Sequence, residues 1–167
     1  MAIIVFATEK TREANVQVTA SLLEAAARIR EPRGFKAALI VYGDRATPLV
    51  DPTVDWSLIP AAYTEAPVIG KSPDLLGALK ETLETLMLEP GQEPKTAVIT
   101  WSASVKPRYK VDLAVKSLEA LGATVKILAT RSSLPGWIKH HPVIAEKTLA
   151  YRANMNVEKL YEKLITP

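Results

Sequence analysis

Cysteine is absent from the 167-residue chain. Its absence excludes disulfides, thiolate metal sites and cysteine nucleophiles together, and it suits a reducing compartment. Asparagine and glutamine are nearly absent too, confined to Asn15, Gln17, Gln92, Asn154 and Asn156. With twelve prolines, that scarcity leans towards a thermophilic source. No apolar run is long enough for a membrane span, and the segment opening at Met1 has neither the basic start nor the length of a signal peptide. A cytoplasmic location is the resulting expectation.

What is present is ordinary globular composition, 48% hydrophobic and 23% charged, so a packed core is expected rather than disorder. The length suits one domain over residues 1–167. No internal repeat, low-complexity tract or linker interrupts it. The formal charge of +3 is unevenly spread. Residues 1–80 hold nine basic and nine acidic side chains, whereas 95–152 hold ten basic against Asp112, Glu119 and Glu146. An acidic or nucleic-acid partner and a plain solvated basic face both account for that imbalance.

Apolar runs and helix-period segments alternate along the chain. Ala2–Phe6, Lys36–Tyr42, Lys95–Thr100, Ala123–Ala129 and Thr148–Ala153 read as buried strands. Ala46–Val50 returns as a short edge strand, because Pro48 is tolerated only at an edge. Helical spacing covers Glu13–Arg30, and Asp55 caps a short helix over Trp56–Ala62. Ser72-Pro73-Asp74 starts a helix running past Met87. Tyr109–Leu121 ends at Gly122, the expected left-handed cap. Short helices broken around Pro142 and a last helix over Val157–Ile165 complete the chain. This alternation predicts an α/β fold: one doubly wound, mainly parallel six-stranded sheet with one antiparallel edge strand and helices on both faces, Rossmann-like in outline.

In such a sheet the loops at the carboxyl ends of the strands carry the site. The first of them is Ala7-Thr8-Glu9-Lys10-Thr11. With the segments Gly70-Lys71-Ser72-Pro73-Asp74-Leu75-Leu76-Gly77-Ala78-Leu79 and Ile144-Ala145-Glu146-Lys147-Thr148, its place in the element order resembles a von Willebrand factor A (vWA) domain. In that family the first loop reads Asp-x-Ser-x-Ser. With a threonine before the middle helix and an aspartate after the fourth strand, it forms a metal-ion-dependent adhesion site (MIDAS). The chemistry requires anionic oxygens converging on a hard cation. Position by position, the resemblance puts Ala7 at the first aspartate, Glu9 and Thr11 at the serines, Ser72 at the threonine, and Trp101 followed by Ser102 at the second aspartate. One carboxylate and a few hydroxyls remain, so a degenerate MIDAS with no metal and no cofactor is expected.

Positive side chains populate the same loops: Lys10, Arg12, Lys71, Lys106, Arg108 and Arg131, beside Thr11, Ser72 and Ser104. Cations beside helix amino termini favour an anion, which points to a carboxylate or phosphate met directly. Solubilising loop charge is the plain alternative. Trp101 reads equally as an aromatic at a protein interface and as a cap on the core.

Other constellations are weaker. Gly70-Lys71-Ser72 is a fragment of a phosphate-binding loop, but Glu65 stands where its first glycine belongs. His140 and His141 are adjacent, point apart, and lack companion ligands. No serine sits in a nucleophile elbow. The expectation is a non-enzymatic protein-interaction module, an adaptor or scaffold within a larger intracellular complex, whose partner presents an acidic surface. The resemblance supplies that adaptor role. Nucleic-acid binding through 95–152 is the first alternative, with Lys106–Lys110 as its densest patch, and an enzyme acting on a small phosphorylated ligand is the second.

Overall fold

In the computed structural model the described residues are 1–7, 17–18, 20–21, 36–66, 74–89, 91, 93–101, 110–130, 134–152 and 155–165. Six strands form one sheet: β1 Ala2–Ala7, β2 Ala37–Tyr42, β3 Ala46–Thr53, β4 Lys95–Trp101, β5 Ala123–Ala129 and β6 Thr148–Ala150. Their spatial order is β3-β2-β1-β4-β5-β6. Every pairing is parallel except β2 with β3. The helices are α1 Leu58–Glu65, α2 Leu75–Leu88, α3 Val111–Ala120, a 3-10 turn over Gly136–His140, α4 Pro142–Lys147 and α5 Val157–Ile165.

Parallel strands covered on both faces have to be apolar at every position. β2 shows this, with six consecutive buried residues in Ala-Ala-Leu-Ile-Val-Tyr. The period-two pleat then sorts those residues into two cores. Ile3, Val5, Ile40, Ile99 and Ile127 pack beneath α2, α3 and α4. Ile4, Phe6, Leu39, Val41 and Val98 pack on the opposite face, with Ile59 and Tyr63 of α1 and Leu160 and Leu164 of α5. The ring of Phe6 meets Tyr63 edge to face at 4.9 Å. Thr82 is fully buried in α2, and its hydroxyl donates to the Ala78 carbonyl at 2.7 Å, so burial leaves no orphaned donor.

Among the described residues β3 pairs with β2 alone, and it carries Pro48 and Pro52, as an edge strand allows. It extends three residues beyond the expected Val50. The helix expected over Trp56–Ala62 instead runs Leu58–Glu65. Asp55 takes the amide and hydroxyl of Ser57 on its Oδ1, at 3.1 and 2.5 Å, and its carbonyl takes the Leu58 amide. A turn therefore precedes the helix. β6 stops at Ala150, short of the expected Ala153, although the Tyr151 amide still donates to the Ala129 carbonyl at 2.7 Å. Of the expected helix Glu13–Arg30, the described residues Gln17, Val18, Ala20 and Ser21 are helical.

Candidate functional site

The strand order fixes where a ligand crevice belongs. β1 lies between β2 and β4, so the chain leaves β1 and β4 towards opposite sides of the sheet. Val18, between β1 and β2, packs in one core, whereas Val111 and Val115, between β4 and β5, pack in the other. The crevice of a doubly wound sheet opens where the order reverses, outside the carboxyl ends of these two strands. Val5 and Ile99 are the last residues paired between β1 and β4; two residues further on, the strands end at Ala7 and Trp101.

On the β2 side, the edge is held together by polar bonds. The phenol of Tyr42, the last residue of β2, donates to the Thr100 carbonyl at 2.5 Å, reaching from β2 to β4 past β1. Both residues are fully buried. Burial is the main reason the Tyr42 phenol is pushed far above its usual range, with the nearby Asp74 carboxylate and Tyr63 adding to the effect. Gly43 then turns the chain, and its carbonyl accepts the Asp74 amide at 2.8 Å. That bond fastens the start of α2 to the end of β2. The Asp74 carboxylate leans over the first turn of α2, where a Cβ on Gly77 would stand 3.2 Å from Oδ2.

Trp101 is 1% exposed. Its indole meets Trp137 edge to face at 5.4 Å, and Trp137 in turn meets the His141 ring at 5.8 Å. The Thr130 amide donates to its carbonyl at 3.0 Å. Of the two sequence readings, the burial of the indole among core residues favours the core one. The histidine pair splits, with His141 in this aromatic stack and His140 exposed.

Among the candidate edge residues, Glu9, Lys10, Thr11, Arg12, Lys71, Ser72, Ser104, Lys106, Arg108 and Arg131 lie outside the described residues. The described part of the edge adds two carboxylates that sequence reasoning passed over, Asp44 and Asp74. Asp44 follows Gly43 just beyond β2, and Asp74 belongs to the Ser72-Pro73-Asp74 helix start. Among the described residues no group of three or more His, Asp or Glu side chains could hold a metal ion. Among the described residues, the two strand ends bring no side-chain oxygen to a cation: Ala7 carries a methyl group and Trp101 a buried indole.

No family model matches the sequence, and no curated protein matches it either. Solved structures do. BatB from Bacteroides thetaiotaomicron superimposes with a TM-score of 0.75 over 97% of this chain and 95% of its own, at 11% identity. The SpRpn10 VWA domain does so with a TM-score of 0.73 over 98% and 94%, at 12% identity. Proximal thread matrix protein 1 from the mussel byssus, in a form with a zinc-occupied MIDAS motif, covers 96% of this chain and 46% of its own, with a TM-score of 0.68 and 9% identity. The chain has a von Willebrand factor A fold. Its architecture is the mainly parallel, six-stranded, doubly wound sheet with one antiparallel edge pair that this fold requires.

Proposed function

We propose that the chain is a protein-interaction module whose carboxyl sheet edge engages an anionic group of its partner directly, without a bridging metal. One observation carries the reading: both strand ends flanking the crevice lack a carboxylate, and one is closed by a buried indole. The mussel protein bears a zinc-occupied MIDAS on the same fold, so the fold accommodates a metal where the ligands are present. In the sequence, Lys10 and Arg12 follow β1, Lys71 precedes α2, Lys106 and Arg108 follow β4, and Arg131 follows β5, and these residues supply the positive charge. A lysine or arginine beside a helix amino terminus recognises a carboxylate without help from a cation. The module acts as an adaptor within a larger assembly. Among the described residues no helix is long and apolar enough to cross a membrane.

Affinity purification from the native source tests the proposal, using the wild type and the double variant Lys71→Glu plus Arg108→Glu, each with EDTA and with magnesium. The expected result is one set of protein partners, recovered equally in both conditions from the wild type and lost from the variant. Partners recovered only with magnesium would sink the metal-free reading. Salt-sensitive recovery of nucleic acid in place of protein would favour the 95–152 alternative.

A further inference from the structure

Away from the carboxyl edge, a groove of about 380 Å³ lies between the edge strand β3 and the C-terminal half of α2. Ile40, Pro48 and Val50 give it an apolar lining, while Asp51, Glu81 and Glu84 bring carboxylates to it. Among the described residues none of these three acids has a cationic partner; Glu89, a fourth, lies 3.7 Å from Lys36. Burial, and then the neighbouring Glu84, push the Glu81 carboxyl above its usual range. Leu88 lines the same groove and is 83% exposed. The prolines of β3 remove two amide donors, so an added strand would find a poor ladder there. Recognition by side chains fits better, with an amphipathic helix laying apolar anchors into the lining and cations against the acids.

The chain carries such a helix. Leu113 and Leu121 are 66% and 51% exposed on α3 and its C-cap, with exposed Lys116 between them. Eight residues of helix separate the two leucines by about 12 Å, close to the roughly 10 Å of α2 between Glu81 and Leu88. Glu119 does not oppose the docking charge, because it is paired with Lys147 at 2.7 Å. Since α2 contacts both β3 and α3, it stands between the groove and α3 within one molecule. We propose that the groove receives α3 of a second copy of this chain, with Leu113 and Leu121 in the apolar lining and Lys116 against Glu81 and Glu84. The contact is heterologous, joining two different surfaces.

Sedimentation equilibrium tests the contact on four samples: wild type, Glu81→Lys plus Glu84→Lys, Leu113→Ser plus Lys116→Ser, and an equimolar mixture of the two variants. Circular dichroism confirms that each variant is folded. The wild type is expected to gain mass with concentration, and at least about tenfold less readily when salt is raised from about 50 to about 500 mM. Each variant alone is expected to stay at 18.2 kDa. The mixture is expected to form a dimer, since one variant keeps the helix and the other keeps the groove. A wild type that remains monomeric overturns the proposal and leaves the groove to a cationic segment of another protein. Association that survives in either variant, or a mixture that stays monomeric, overturns it as well.

Discussion

The Tyr42 hydroxyl donates its hydrogen bond to the Thr100 carbonyl at 2.5 Å, tying together the two strands that flank β1. The Thr100 hydroxyl adds a bond to the Val5 carbonyl at 3.3 Å, so β1 is held in the same cross-brace. Tyr42→Phe removes this buried hydrogen bond, which should cost about 0.5–1.5 kcal/mol in urea unfolding. The phenol also couples stability to pH. Its folded value is raised, so above the ordinary tyrosine value near 10 the unfolded chain releases this proton while the folded chain retains it. Stability is therefore expected to fall as pH rises past about 10, and to fall less steeply in the Phe variant.

Trp101 separates support from recognition. Its indole is closed into the core against Trp137, so Trp101→Ala should open a cavity costing about 3–5 kcal/mol, read as a lower urea midpoint. Trp137 is half-buried between the rings of Trp101 and His141, and Trp137→Ala should cost less. If Trp101→Ala left stability unchanged while abolishing partner recovery, the core assignment would be wrong.

Most of the sheet was legible because parallel strands buried on both faces have to be apolar throughout, and Ala37–Tyr42 and Ala123–Ala129 stand out at once. The proline rule placed β3 at the edge. Boundaries failed where local side-chain bonding intervened, as at Asp55, whose carboxylate holds Ser57 in a turn and delays α1 to Leu58. Trp101 was undecidable from sequence, since a strand-end tryptophan suits an interface or a core equally. The groove was invisible for another reason. Asp51 and Glu81 are thirty positions apart, and only the packing of α2 beside β3 brings them together.

Gly122 follows α3 with φ at +81°, in the left-handed region that side chains disfavour. Its amide donates to the Glu119 carbonyl at 2.9 Å, closing the helix end just before β5 begins at Ala123. Gly122→Ala meets no neighbour within 4 Å, so its cost is conformational alone, about 1–2 kcal/mol. Gly136 is equally open but does not have a positive φ. Gly136→Ala should stay within about 0.5 kcal/mol of the wild type or stabilise it slightly by restricting the unfolded chain. Thermal unfolding of the pair separates backbone strain from crowding.

The metal-free reading makes a thermal prediction that requires no knowledge of the partner. A cation bound only by the folded state, supplied at a hundred times its dissociation constant, adds about 2.7 kcal/mol. For a chain of this length that should raise the melting temperature by about 5 °C or more. Ala7 and the buried indole of Trp101 leave the strand ends without anionic oxygens, so millimolar magnesium, manganese or zinc should leave the midpoint within about 1 °C of that in EDTA. Ala7→Asp introduces a carboxylate at the end of β1, so a small metal-dependent rise is expected in that variant. A rise of several degrees in the wild type would show that the remaining oxygens bind metal without the two aspartates, and the anionic contact would then have a cation to bridge it.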